Sequence, residues 1–302
     1  MKQFAALIFL LLGVPAAFAQ PAGKPVAEVP FEFVHNQIVV QVKIGDRGPF
    51  TMLVDTNTDP SAIDAATARD LGLAVVSKGG VATGGGPETN MVYPVRLPSV
   101  ELGGLVTRDV AAATISLAKI SERIGRPIHG ILGFSFLKDR IIQIDYPNSK
   151  LRFFTESPFP RIQMSANTVN TIAFPFKRED GEVMIDSVFI NSEKMRASLD
   201  TGSSSTFSLT PQAVALLQLE EQAQPGEKTS VGYNGEYETR QGILKSVRLG
   251  RIAVESVRAN FWLPNTGYDN KKFQVNIGNG FFQDFVMTFD FKNKMVVFEK
   301  VD

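Results

Sequence analysis

The 302-residue chain contains no cysteine. Disulfides, thiolate metal sites and cysteine nucleophiles are therefore excluded. Histidine is nearly as scarce, with only His35 and His129 present. The usual imidazole-based zinc sites and acid/base schemes thus have little to work with, and both residues are expected to sit in loops or face a partner rather than act as catalysts. The 31 basic and 31 acidic residues cancel, which leaves no electrostatic footprint for nucleic acid. No G-x-S-x-G nucleophile motif occurs, and the clusters Gly79-Gly80 and Gly84-Gly85-Gly86 lack the Lys-Ser/Thr of a phosphate loop. What is plentiful is glycine (25) and phenylalanine (23), within a chain that is 44% hydrophobic. That composition suits a turn-rich β protein with a substantial core.

The N-terminus has the layout of an export signal. Lys2 precedes the apolar stretch Phe4 to Val14, and Ala17-Phe18-Ala19 has the small-x-small pattern of a cleavage site. Residues 1–19 are expected to be a signal peptide removed near Ala19-Gln20, giving a periplasmic or secreted protein. The apolar stretch falls well short of the roughly 20 residues that span a bilayer, so no membrane anchor is expected.

Short β-type runs dominate the remainder. Gln37–Ile44 and Phe50–Val54 flank a Gly-Asp-Arg-Gly-Pro turn, and Ile141–Tyr146 and Lys150–Phe154 flank Pro-Asn-Ser, so each pair predicts a hairpin. Helical patterns are short: Ser61 to Leu71, and Pro211 to Leu219 with Thr210 as N-cap. Ser157-Pro158-Phe159-Pro160 is a candidate linker.

An internal duplication organises these elements. At an offset of 145, Asp55 falls on Asp200, Gly133 on Gly278, Phe136 on Phe281, Asp139 on Asp284, Asp145 on Asp290 and Asn148 on Asn293. The hairpins before the two aspartates superpose after one slip in the turn. The chain therefore divides into residues 20–156, a linker at 157–170, and residues 171–302. Two copies are too few for a solenoid and predict two lobes related by a pseudo-twofold axis. Asp139, Asp284, Asp145 and Asp290 sit in or beside the closing hairpins and are expected to serve turns.

In each copy an aspartate ends an apolar strand: Met52-Leu53-Val54-Asp55-Thr56-Asn57-Thr58 and Ala197-Ser198-Leu199-Asp200-Thr201-Gly202-Ser203. A carboxylate there loses solvation and needs donors, which following Thr, Ser and backbone N–H groups can supply. On a twofold axis the two carboxylates would meet and share one proton. One would then act as base toward a water, and the other as acid toward a carbonyl.

Leu199-Asp200-Thr201-Gly202-Ser203 resembles the signature of the pepsin- and retropepsin-type aspartic peptidases, and His129 to Leu137 resembles their hydrophobic-hydrophobic-Gly element. Val275-Asn276-Ile277-Gly278 looks like a degraded second copy of that element. The resemblance covers nearly all of the chain after residue 19. It implies an all-β fold of two β-barrel-like lobes, each with a short helix, acting as a monomer on a peptide or protein substrate. Asp55 and Asp200 would be the dyad, supported by Thr56, Asn57, Thr58, Thr201, Gly202 and Ser203, with no metal or other cofactor. A flap would cover the cleft, from Thr83, Gly84, Gly85, Gly86 and Pro87 or from Gly232, Tyr233, Asn234 and Gly235. Asn57 stands where the family has glycine. Asparagine tolerates left-handed backbone angles, so the turn is expected to survive. Its side chain also raises the alternative of a catalytically silent peptide-binding protein of the same fold.

Overall fold

A computed structural model describes residues 23–82, 84–159, 170–222 and 228–301. The expected signal segment and most of the expected linker lie outside the described residues.

The repeat is realised as two sheets of eight strands with the same connectivity. In the N-terminal lobe the strand order is Glu32–Val34, Gln37–Ile44, Arg47–Val54, Gly130–Leu132, Ser61–Asp64, Leu105–Ile115, Met91–Leu102, Gly80–Val81. In the C-terminal lobe it is Lys177–Glu179, Glu182–Ile190, Glu193–Asp200, Val275–Gly278, Phe207–Leu209, Ile252–Trp262, Gly235–Leu249, Lys228–Gly232. Each sheet curls until its second strand also pairs with its seventh, which makes a barrel. The predicted hairpin strands are present, Gln37–Ile44 with Arg47–Val54 and Ile141–Asp145 with Lys150–Phe154.

Helices are short and more numerous than one per lobe. Ala65–Asp70, Ala118–Ile124 and Phe134–Leu137 lie in the first lobe, and Pro211–Leu216 and Asn279–Phe282 in the second. The helix expected from Ser61 begins only at Ala65, because Ser61–Asp64 pairs as a strand and Asp64 caps the helix through the Ala66 and Thr67 N–H groups. Thr210 caps its helix as the sequence predicts, its hydroxyl accepting from the Ala213 N–H.

The closing hairpins leave their barrels and merge into a third sheet of six strands, shared by both lobes. Ile141–Asp145 and Phe285–Asp290 run antiparallel at its centre, and Gln143 is paired with Thr288, its own counterpart in the repeat. The Gln143 side-chain amide donates to the Thr288 hydroxyl at 3.2 Å. A residue paired with its repeat equivalent marks the pseudo-twofold axis. Asp145 accepts from the Asn148 N–H and Asp290 from the Asn293 N–H, so both serve turns. Phe285, Met287, Phe289, Val296 and Phe298 are buried at alternating strand positions and join the lobes in one apolar cluster.

Glu299 lies in the same sheet. Burial first, and the charge of Asp145 second, push its carboxyl up to about 7, with Arg152 opposing. Above its unfolded value of 4.5 the folded state therefore holds a proton that the unfolded chain releases. Stability is full below that value and declines as pH rises through the folded value. Glu299→Gln is expected to stabilise the protein by on the order of 2 kcal/mol at pH 8 and hardly at pH 4. Urea denaturation at the two pH values checks this, and an equal effect at both would contradict it.

Candidate active site

The two strands that carry the motif aspartates end side by side at the axis. Val54 lies in parallel register with Leu132, and Asp200 with Gly278, so each aspartate is held where two parallel strands diverge. The glycines of these partner strands allow the loops to pass behind them. A Cβ at Gly133 would lie 2.3 Å from the Thr58 carbonyl oxygen, and one at Gly278 would lie 2.6 Å from that of Ser203.

Thr56 and Thr201 do not contact the carboxylates. They lock the two loops to each other. The Thr56 N–H donates to Thr201 Oγ1 at 3.0 Å and the Thr201 N–H donates to Thr56 Oγ1 at 3.2 Å. Each hydroxyl then donates across the axis, Thr56 to the Leu199 carbonyl and Thr201 to that of Val54, both at 3.1 Å. All four bonds are buried.

The two carboxylates are held differently. Asp55 Oδ1 accepts from the Asn57 N–H at 2.7 Å and the Thr58 N–H at 3.1 Å. Its Oδ2 accepts from the Thr58 hydroxyl at 2.6 Å and the Tyr233 hydroxyl at 2.9 Å. Asp200 has fewer partners: the Gly202 N–H donates to Oδ1 at 2.8 Å and the Asn276 side-chain amide to Oδ2 at 3.0 Å. Ser203, expected to support Asp200, instead directs its N–H to the Asp200 main-chain carbonyl and accepts from the Ser205 N–H. Burial pushes the Asp200 carboxyl well above the usual range, and the charges of Asp55 and Glu182 push the same way. Asn276 and the Gly202 N–H oppose the shift.

Glycine and asparagine at the equivalent positions 202 and 57 play unlike parts. Neither adopts a left-handed backbone, so the tolerance of asparagine for that region is not what preserves the turn. Gly202 is required for space, since a Cβ there would lie 2.2 Å from Asp55 Oδ2. Asn57 turns its amide into the other lobe. Its Nδ2 donates to Glu182 Oε2 and Ser198 Oγ, both at 2.8 Å, and its Oδ1 accepts from the Val183 N–H at 3.0 Å. Glu182 is also paired with Lys271 at 2.9 Å.

Thr83 lies outside the described residues, but the rest of both candidate flaps takes part, and they interlock. The Asn234 N–H donates to the Gly85 carbonyl at 2.9 Å, and the Glu88 N–H returns to the Asn234 carbonyl at 2.8 Å. Asn90 donates to the Tyr233 carbonyl at 2.8 Å and the Gly86 N–H to that of Thr266 at 3.0 Å. A Cβ at Gly84 would touch the Tyr233 ring and one at Gly235 the Glu88 side chain. The roof so formed brings the Tyr233 hydroxyl to Asp55 and within 2.5 Å of the Thr58 hydroxyl. Beneath it lies a cleft of about 420 Å³ reached by both aspartates.

Sequence reasoning missed Asn276, Glu182 and Lys271. Asn276 had a signal: it falls on Ile131 at the repeat offset, and an amide in place of an apolar residue there marks a changed role. His129 is structural, its Nδ1 accepting from the Thr51 N–H at 3.0 Å and its ring lying against Phe50. His35 lies in an exposed turn at the edge of the cleft. Among the described residues no cluster of His, Asp and Glu could hold a metal ion, and no helix is long and apolar enough to cross a membrane.

The chain matches the aspartyl protease family over residues 40–136 and 187–281, one match in each lobe and more than half of its length. It belongs to that family. Among solved structures it is similar to a retropepsin-like aspartic protease from Rickettsia conorii, at 20% identity, over 43% of this chain and 90% of that one, with a TM-score of 0.34. It is also similar to Basic 7S globulin from soybean, at 13% identity, over 91% of this chain and 95% of that one, with a TM-score of 0.48. No match was found among curated proteins.

Proposed function

We propose that the protein is an exported aspartic endopeptidase in which Asp55 and Asp200 activate a water for attack on a peptide carbonyl. What supports this reading is that the loops after two equivalent aspartates are tied to each other by the reciprocal Thr56–Thr201 bonds, and that the charge of Asp55 acts on Asp200. Asp200, whose proton affinity is raised by burial, is the member that holds the shared proton and gives it to the substrate carbonyl oxygen. Asp55, on which four donors converge, is the member that takes the proton of the attacking water. The roof must lift for a chain to enter, and the Tyr233 hydroxyl leaves Asp55 when it does. One fused chain supplies both lobes, so the active form is a monomer. Export rests on the pattern of the first 19 residues.

Asn57 is the observation behind the alternative, a protein that binds peptides in the cleft without turnover. Its amide is engaged with Glu182, Ser198 and Val183 and directed away from Asp55, which favours the enzyme. Asp55→Asn and Asp200→Asn are each expected to lower peptide cleavage by about a thousandfold or more, with folding retained. The assay is a diverse peptide library digested between about pH 3 and 7, with and without a statine-type inhibitor. A wild-type protein that binds peptides but cleaves none leaves the silent alternative standing.

A further inference from the structure

Each lobe carries one row of side chains across neighbouring strands, and in the N-terminal lobe Leu53 and Ile131 of that row line the cleft. In the N-terminal lobe the row, in register, is Leu53, Ile131, Ala62, Ala113 and Pro94. The helix Ala118–Ile124 covers its near end with Ile120 and Ile124, so this wall is apolar apart from Arg123 of the same helix. In the C-terminal lobe the equivalent row is Ser198, Asn276, Ser208, Asn260 and Gln241. Every member is polar, and four of them line the cleft. The barrel itself does not need this polarity, because its twin builds the same row from apolar residues.

The hydrogen bonds of the row are incompletely used. Asn276 is 5% exposed and donates to Asp200, yet its Oδ1 has no partner. Asn260 donates to the Ser205 hydroxyl at 2.9 Å. Gln241 reaches Asn260 only at 3.5 Å. An apolar substrate side chain packed here would seal away the Ser208 hydroxyl, which lines the cleft and has no hydrogen-bond partner among the described residues, and that is costly. A carboxylate would lie beside Asp55 and Asp200, which line the same cleft. A cation would face Arg258 and Lys228, which line the same cleft and make no ion pair among the described residues. The acids Asp180 and Glu182 on that side are already paired with Lys272 and Lys271. A carboxamide meets all three conditions, since its oxygen can accept from the Ser208 hydroxyl and its NH2 can donate to the side-chain oxygen of Asn260 or Gln241, all of which line the cleft.

We propose that this row is a subsite for a glutamine or asparagine side chain next to the scissile bond, with the apolar wall opposite taking an apolar residue. The inference rests on the peptidase reading of the site, but its test does not require turnover. Two measurements are made with one set of peptides that hold Gln, Asn, Leu, Glu or Lys at a scanned position. Cleavage is mapped with the wild-type protein, and binding is measured with Asp55→Asn, which leaves the row and Asp200 intact.

Gln or Asn peptides are expected to exceed Leu peptides at least about tenfold, in kcat/KM and in affinity. The variant Ser208→Ala/Asn260→Ala installs the residues of the other lobe and is expected to bring that ratio close to one. Leu, Glu or Lys peptides preferred by the wild-type protein would overturn the subsite, as would a ratio unchanged in the double variant. The expected ranking in binding, with no cleavage of any peptide, would support the subsite and overturn the peptidase reading alone.

Discussion

Gly202→Ala is expected to lower peptide cleavage by about a hundredfold or more while the protein stays folded. The added methyl would lie 2.2 Å from Asp55 Oδ2 and 2.4 Å from its Cγ, well inside contact distance. Something must give by about 1 Å, and displacements of that size at reacting groups cost on the order of a hundredfold. The backbone is the stiffer partner, because Thr201, next in the chain, is locked to Thr56 and the Gly202 carbonyl accepts from the Gln37 side chain at 2.9 Å. The carboxylate therefore moves, losing its hydrogen bonds to Thr58 and Tyr233. Steady-state cleavage beside a thermal melt checks this. Activity within a few-fold of wild type would show that Asp55 tolerates the shift and is not held for chemistry.

Thr201→Val is expected to destabilise the fold by roughly 3 kcal/mol, with one buried N–H and one buried C=O each costing about 1–3 kcal/mol when left unpaired. Valine keeps the branched shape, so packing is preserved and only the hydroxyl is lost. That hydroxyl accepts from the Thr56 N–H and donates to the Val54 carbonyl, and Thr201 is fully buried. The loss is a large share of the stability of an ordinary domain. Urea unfolding measures it, and a change below about 1 kcal/mol would mean that the lobes do not depend on this tie.

The candidate site was legible in the sequence wherever it depended on repetition. Asp55 and Asp200 emerged from a single offset, and the same offset recurs in the pairs Thr56–Thr201 and Gln143–Thr288. Hairpins and the Thr210 cap were legible because alternation, turn residues and capping chemistry act over a few residues. Ser203 misled because its likeness to Thr58 predicts the same bond, while its actual partners are the Asp200 carbonyl and the Ser205 N–H. Asn276 read as a flaw in a motif until its neighbour across the strands was known to be Asp200.

The sequence by itself determined the duplicated unit, its strands and the pair of acids that ends them. These follow from local periodicity and from identity between halves, both of which are written in residue order. Only the tertiary structure decided that the closing hairpins fuse into one sheet, that the two flaps clasp each other, and that one wall of the cleft is polar. Those features depend on contacts between residues far apart in the chain, such as Gly85 with Asn234 or Asn57 with Glu182. Such partners are chosen by how the two lobes seat against each other, and no short stretch of sequence carries that information.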